Sequence, residues 1–94
     1  MIYIENFTEL NMPSIPKTTP ECKRLLDMVI KGLKSNILDV QTMEAARVAL
    51  KRLRKKRCTK CLEYIIEVSG NANLLDAFAK EIWQKAMQYL KELS

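Results

Sequence analysis

The stretch VALKRLRKKRCTKC, residues 48–61, spans the predicted end of one helix and the approach to the next. Leu50 and Leu53 continue an apolar seam from earlier in the sequence, with the three- and four-residue steps of an α-helix. The next position of this seam is Arg57, and a buried helix face does not accept an unpaired cation. The stretch therefore predicts a break or a bend near residues 56–59, after which a further helix begins.

Capping residues and apolar periodicity on both sides of this break predict four helices in all. The first begins at Thr19 and Pro20 and the second at Asp39, because these residue types stabilise helix N-termini. The third is expected to end at Gly70 in a left-handed conformation, and the sequence NAN that follows is expected to cap a fourth helix over about residues 73–92. Helices with short links predict an all-α fold, a small four-helix bundle.

The N-terminal segment, residues 1–18, has no helical period and holds two of the three prolines, so we interpret it as an extended N-terminal arm. Residues 19–94 are expected to form a single helical domain, because a chain this short supports only one hydrophobic core. The arm is rich in apolar side chains, which predicts that it lies along the helices or contacts a partner. Phe7 and Ile15 in the arm, and Trp83 on the fourth helix, are the candidate apolar partner contacts.

The composition indicates a globular chain: 48% of the residues are hydrophobic and 29% are charged, and no apolar run reaches the roughly 20 residues of a membrane span. The N-terminus carries acids where a secretory signal would carry bases, so we expect a soluble protein that is not exported and has no membrane partner. Three cysteines cannot all pair within one chain. This odd number favours free thiols in a reducing intracellular compartment, which is the cytoplasm or, in a eukaryote, the nucleus.

The chain contains no histidine, which removes the commonest general base and the commonest metal ligand. We therefore expect no enzymatic activity, no catalytic residues and no cofactor. Cys58 and Cys61 have the spacing of half a zinc site or of a redox dithiol, and these roles are a weaker alternative because only Cys22 remains to add a third ligand. The favoured interpretation places Cys61 in the core and leaves Cys58 as a half-exposed thiol.

The strongest functional feature is a basic run of seven cations within ten residues, and residues 40–69 hold the whole formal net charge of +5. An ordinary solvated helix face would mix acids with the bases. Such a surface attracts the phosphate backbone of nucleic acid, alone or in a nucleoprotein complex, or an acidic protein surface. The run has no aromatic side chain to stack on bases, so we expect little sequence preference. The predicted contacts are Lys51, Arg52, Arg54, Lys55, Lys56, Arg57 and Lys60.

Other interpretations stay open. The basic run also suits a solvated helix end that complements the negative C-terminal dipole. The helix order in RLLDMVIKGLKSNILDVQTMEAARVALKRL and LLDAFAKEIWQKAMQYL resembles, over about seventy residues, the N-terminal helical domain of S-II-type transcription elongation factors. That resemblance implies a non-catalytic docking module in the transcription machinery. A protein–protein adaptor or inhibitor would dock through apolar helix and arm surface, as a host protein, as a regulator encoded by a virus or mobile element, or as a homodimer.

Overall fold

In a computed structural model, the described residues are 15–34, 39–72 and 76–93, and they form four α-helices without a β-strand. The helices are α1 (Pro20–Leu33), α2 (Val40–Lys55), α3 (Thr59–Ala72) and α4 (Ala77–Leu93). The predicted all-α four-helix fold is therefore confirmed. Within the same ranges, none of the helices combines the length and the apolar content needed to cross a membrane.

The predicted N-terminal caps are present on the first two helices. Thr19 Oγ1 accepts a hydrogen bond from the backbone N–H of Cys22 at 3.2 Å, and Asp39 Oδ1 accepts one from Thr42 at 3.1 Å. The cap of α4 differs from the prediction. Asp76 Oδ1 accepts from the backbone N–H groups of the residues two and three positions ahead, so Asp76 caps α4, which begins at Ala77 and not near residue 73.

The helices pack as two pairs, α1 against α2 and α3 against α4, around one shared core. Gly32 allows the close approach of the first pair, because a Cβ placed there would overlap the Cβ of Ala46 on α2. The largest side chains that are completely buried come from all four helices. They include Leu26, Val29, Leu50, Leu53, Leu62, Ile65 and Ile82.

The predicted break after α2 is also present, so the stretch is two helices and not one bent helix. Lys56 caps α2, and Arg57 adopts a left-handed conformation with a φ of 58°. The backbone N–H of Cys58 then donates to the carbonyl oxygen of Leu53 at 3.0 Å, and α3 starts at the next residue. The seam position at residue 57 is thereby turned out to solvent.

The predicted helix end at Gly70 is wrong, because α3 continues through it to Ala72 and no described glycine has a positive φ. A Cβ at Gly70 would lie 3.2 Å from Nε1 of Trp83 on α4. The small residue therefore serves the close contact between α3 and α4, and not a left-handed turn.

A disulfide joins Cys22, in the first turn of α1, to Cys58, in the turn before α3. Cys58 is buried and bonded, so the prediction of a half-exposed thiol at this position is wrong. The bond is also at odds with the predicted reducing compartment. Cys61 is free and completely buried, as expected of a core residue, and burial raises the pKa of its thiol.

Candidate nucleic-acid interface

The basic run covers the last turns of α2, the turn that follows and the start of α3, and all seven of its side chains are exposed. They do not share one face. Successive residues of an α-helix are about 100° apart, so neighbouring cations point to different sides of the bundle. Their contacts divide the basic run into three groups.

Arg54 points towards α4. Its Nη1 lies 2.9 Å from Oε1 of Glu92, and its guanidinium carbon lies 5.0 Å from the ring centroid of Tyr89. Tyr89 is itself buried. Arg54 is therefore held against the bundle by an ion pair and by a cation–π contact, and its charge is partly neutralised.

Lys56 and Arg52 point towards α1. Lys56 forms an ion pair with Glu21 in the first turn of α1. The hydrogen bond and the charge of Lys56 lower the pKa of the Glu21 carboxyl below its ordinary value, and Arg24 and Arg52 act in the same direction more weakly. The start of α1 and the end of α2 are thus joined by this ion pair as well as by the disulfide.

Lys51 and Lys55 lie one turn apart on the outer face of α2, and Arg57 lies in the turn that follows. None of these three side chains has an ion-pair partner within 4.0 Å among the described residues. Lys60 also has no such ion pair, but it lines a shallow hollow on α3 together with Pro16 and two acids, Glu63 and Glu67. The free positive charge is therefore concentrated at the outer end of α2.

A groove between α1 and α2 was not predicted from the sequence. Its apolar middle has a volume of about 400 Å³ and is lined by Leu25 and Met28 of α1 and by Ala45, Val48 and Ala49 of α2. The two large hydrophobic side chains that are exposed in it are Met28, which is 36% exposed, and Val48, which is 42% exposed. Both stand beside the apolar seams of their helices and not in them. Apolar residues at these two positions are the sequence signal for a second apolar face on each helix.

The groove widens at the N-terminal end of α1, where a space of about 840 Å³ is lined by Arg24, Arg52, Lys56 and Glu21 among others. Arg24 joins two members of the basic run here although it is far from them in the sequence. Linear spacing could not have shown this, because the contact depends on how α1 packs on α2.

The candidate apolar contacts and the candidate metal residues have different surroundings. Phe7 lies outside the described residues, and Ile15 is 56% exposed. Trp83 is half-buried with its ring against Gly70. The sulfur of Cys58 is bonded to that of Cys22, and in the part of the chain that the structure describes no three acidic or cysteine side chains are grouped as metal ligands would be.

Arg47 joins α2 to α4 near the groove. Its Nε and Nη2 donate to the two carboxylate oxygens of Glu81 at 2.7 and 3.0 Å, and its Nη1 donates to Glu44 at 2.9 Å. The guanidinium carbon also lies 5.1 Å from the ring centroid of Phe78. This bidentate pair is the best-formed ion pair between helices in the described residues, because it satisfies both oxygens of one carboxylate.

We predict that the ion pair between Arg47 and Glu81 makes the free energy of unfolding fall at acidic pH. Hydrogen bonds from Arg47 lower the pKa of Glu81, so its stabilising effect is present above the unfolded pKa of about 4.3 and is lost as the pH falls through the lower folded pKa. The unfolding free energy is measured in urea at pH 6 and at pH 2, and it should fall between these pH values in the unchanged protein. In Glu81→Gln this fall should be smaller by about 1 kcal/mol. Glu63→Gln, at an exposed acid without an ion pair, is the control and should leave that loss unchanged.

Comparison with family models, with curated proteins and with solved structures finds no match to this chain.

Proposed function

We propose that this protein is a non-catalytic binding module that contacts the phosphate backbone of nucleic acid through the outer end of α2. The contacting cations in this proposal are Lys51, Arg52, Lys55 and Arg57. Arg54 and Lys56 mainly stabilise the packing of α2, because each forms an ion pair with an acid on a neighbouring helix. Lys60 is peripheral, because two glutamates share its hollow.

The observation that carries the proposal is the set of exposed cations without ion pairs at one end of the bundle. Lys51, Arg52, Lys55 and Arg57 fall within seven residues, and none of them is paired with a described acid. Unpaired surface cations leave a positive potential that reaches about 10 Å at 0.1 M salt. A phosphate backbone, with its regular negative charges, is the ligand that such a potential attracts most generally.

The end of α2 is tied to two neighbouring helices, which favours a binding role over that of a frayed helix end. The end of α2 is tied to α1 through Lys56 and Glu21 and through the bond between Cys22 and Cys58. Arg54 ties it to α4. Cations carried by an anchored backbone lose less backbone freedom on binding than cations on a mobile segment do.

The proposed recognition is of shape and charge, and little of sequence. Residues 51–60 contain no Asn or Gln to read adenine edges and no aromatic side chain to stack on bases. Binding should therefore be similar for duplexes of different sequence. Its affinity should depend strongly on ionic strength, because counterions are released from the phosphates.

The test compares Lys51→Glu/Lys55→Glu/Arg57→Glu with the unchanged protein in fluorescence anisotropy titrations of labelled duplex DNA and RNA from 50 to 200 mM salt. We expect the slope of log K against log salt to be about −3.6 for the unchanged protein, from four phosphate contacts, and no steeper than about −0.9 in the triple variant, which keeps only Arg52. Arg54 is kept in this design, since its substitution would also disturb the contacts with α4.

The matched control is Lys31→Glu/Lys34→Glu/Lys80→Glu, which makes the same change in net charge at exposed positions away from the end of α2. Equal helicity of all three proteins by circular dichroism is a condition of the comparison. Loss of binding in the control as large as in the test variant, or no binding by the unchanged protein at 50 mM salt, would refute the proposed interface.

A further inference from the structure

We propose that the groove between α1 and α2 binds an amphipathic, acidic helix of a partner protein. This site lies beside the phosphate-binding surface proposed above and shares only Arg52 with it, because Lys51, Lys55 and Arg57 do not line the groove. It would give the module a second contact, with protein and not with nucleic acid. Three properties of the groove indicate such a helix: its apolar lining, its unpaired cations and its length.

The apolar part of the groove has the character of an unfilled helix-packing site. Its floor is made by the flanks of two antiparallel neighbours, Leu25 and Met28 on one side and Ala45, Val48 and Ala49 on the other. The alanines of α2 leave room for an incoming side chain, and the exposed Met28 and Val48 form apolar edges on the two sides of the groove. An incoming helix with an apolar stripe would bury these edges, as helices do in hydrophobic grooves.

The charges along the groove select an acidic partner. Two acids line it, but each is engaged: Glu21 with Lys56 and Glu44 with Arg47. The cations Arg24 and Arg52 at the wide end have no ion pair among the described residues. Lys31 stands at the opposite end, also without one. A partner with acids on both sides of its apolar stripe complements this arrangement.

The length of the groove fits a helix of about three to four turns. The groove runs along α1 from Lys31 to Arg24 and continues past Arg24 to the N-terminal end of the helix. The helix α1 has 14 residues and is about 21 Å long. A second copy of this chain is a poorer occupant, since two chains of formal net charge +5 would be brought together at a basic groove.

The test uses a fluorescein-labelled peptide of about 14 residues, with leucine at positions i, i+3, i+4 and i+7 and glutamate beside that stripe. A second peptide with lysine in place of every glutamate is the charge control. We expect saturable anisotropy changes with the acidic peptide only. Val48→Glu should weaken its binding by roughly tenfold or more, because a charge is placed in the apolar floor.

Two protein variants serve as controls. Met87→Glu puts the same charge on an equally exposed apolar residue of α4, which is 44% exposed, and should change the affinity by less than about twofold. Lys51→Glu/Lys55→Glu removes charge from the outer face of α2 and should leave peptide binding intact, whether or not nucleic acid binds. Equal binding of the lysine peptide, equal weakening by Met87→Glu, or a dimer that Val48→Glu dissociates would overturn the assignment. Binding that appears only after removal of residues 1–14 would also overturn it, by making this chain the occupant.

Discussion

Reduction of the bond between Cys22 and Cys58 is expected to lower the free energy of unfolding by about 4 kcal/mol. The bond links residues 36 positions apart, and it therefore removes much of the freedom that the unfolded chain would otherwise gain. Domains of this size are stable by roughly 5–15 kcal/mol, so this one bond is a large part of the total. Among the described residues it also fastens the start of α1 to the turn that carries Arg57.

The measurement is urea unfolding followed by circular dichroism, with and without a phosphine reductant. Cys22→Ser/Cys58→Ser should unfold at the lower urea concentration in both conditions, because it has no bond to reduce. This variant is also the control for any effect of the reductant on Cys61, the buried thiol that both proteins retain. An unchanged midpoint on reduction, with a thiol count that rises from one to three, would show that the bond contributes nothing to stability.

The position of the break between α2 and α3 could be predicted because one residue decides it. Helical periodicity carries the seam through Leu50 and Leu53 to Arg57, and a cation cannot take the next buried position. Likewise Thr19 and Asp39 cap their helices as local sequence predicts, since capping involves side chains and N–H groups only two or three residues apart. Local chemistry of this kind does not depend on how the helices pack.

Apart from the cap of α4, where Asp76 takes the place predicted for NAN, the features that could not be predicted depend on packing between helices. The favoured prediction left Cys58 as a half-exposed thiol, and the weaker alternative paired it with Cys61, yet Cys58 is bonded to Cys22 because α1 starts beside the end of α2. Gly70 has the residue type of a helix end, but its role is set by Trp83 on the next helix. These partners are distant in sequence, and no period or motif relates them.

The candidate site was predicted only in part for the same reason. Seven neighbouring cations suggested one surface, but the helical rotation sends Arg54 to α4 and Arg52 and Lys56 to α1. The acids that engage two of them, Glu21 and Glu92, lie in distant segments. Charge density along the chain therefore located the basic end, whereas the bundle determines which cations stay free.

Truncation of Leu53 to alanine is expected to lower the free energy of unfolding by about 3 kcal/mol. Its side chain is completely buried, and it is the last core residue of α2 before the basic turn. Removing its three terminal carbons leaves a cavity among the helices that surround it, and alanine keeps the helical propensity of the position. The loss should therefore come from packing and not from the backbone.

Val48→Ala is the matched control, because it truncates an aliphatic residue of the same helix that is 42% exposed. We expect it to change the unfolding free energy by less than about 0.5 kcal/mol, as substitutions at exposed positions usually do. Oxidised samples of both variants are compared in urea, so that the Cys22–Cys58 bond is present throughout. Equal losses in the two variants would mean that Leu53 does not anchor the end of α2. The end of α2 would then be held in place by the disulfide and by the contacts of Arg54 and Lys56 with neighbouring helices.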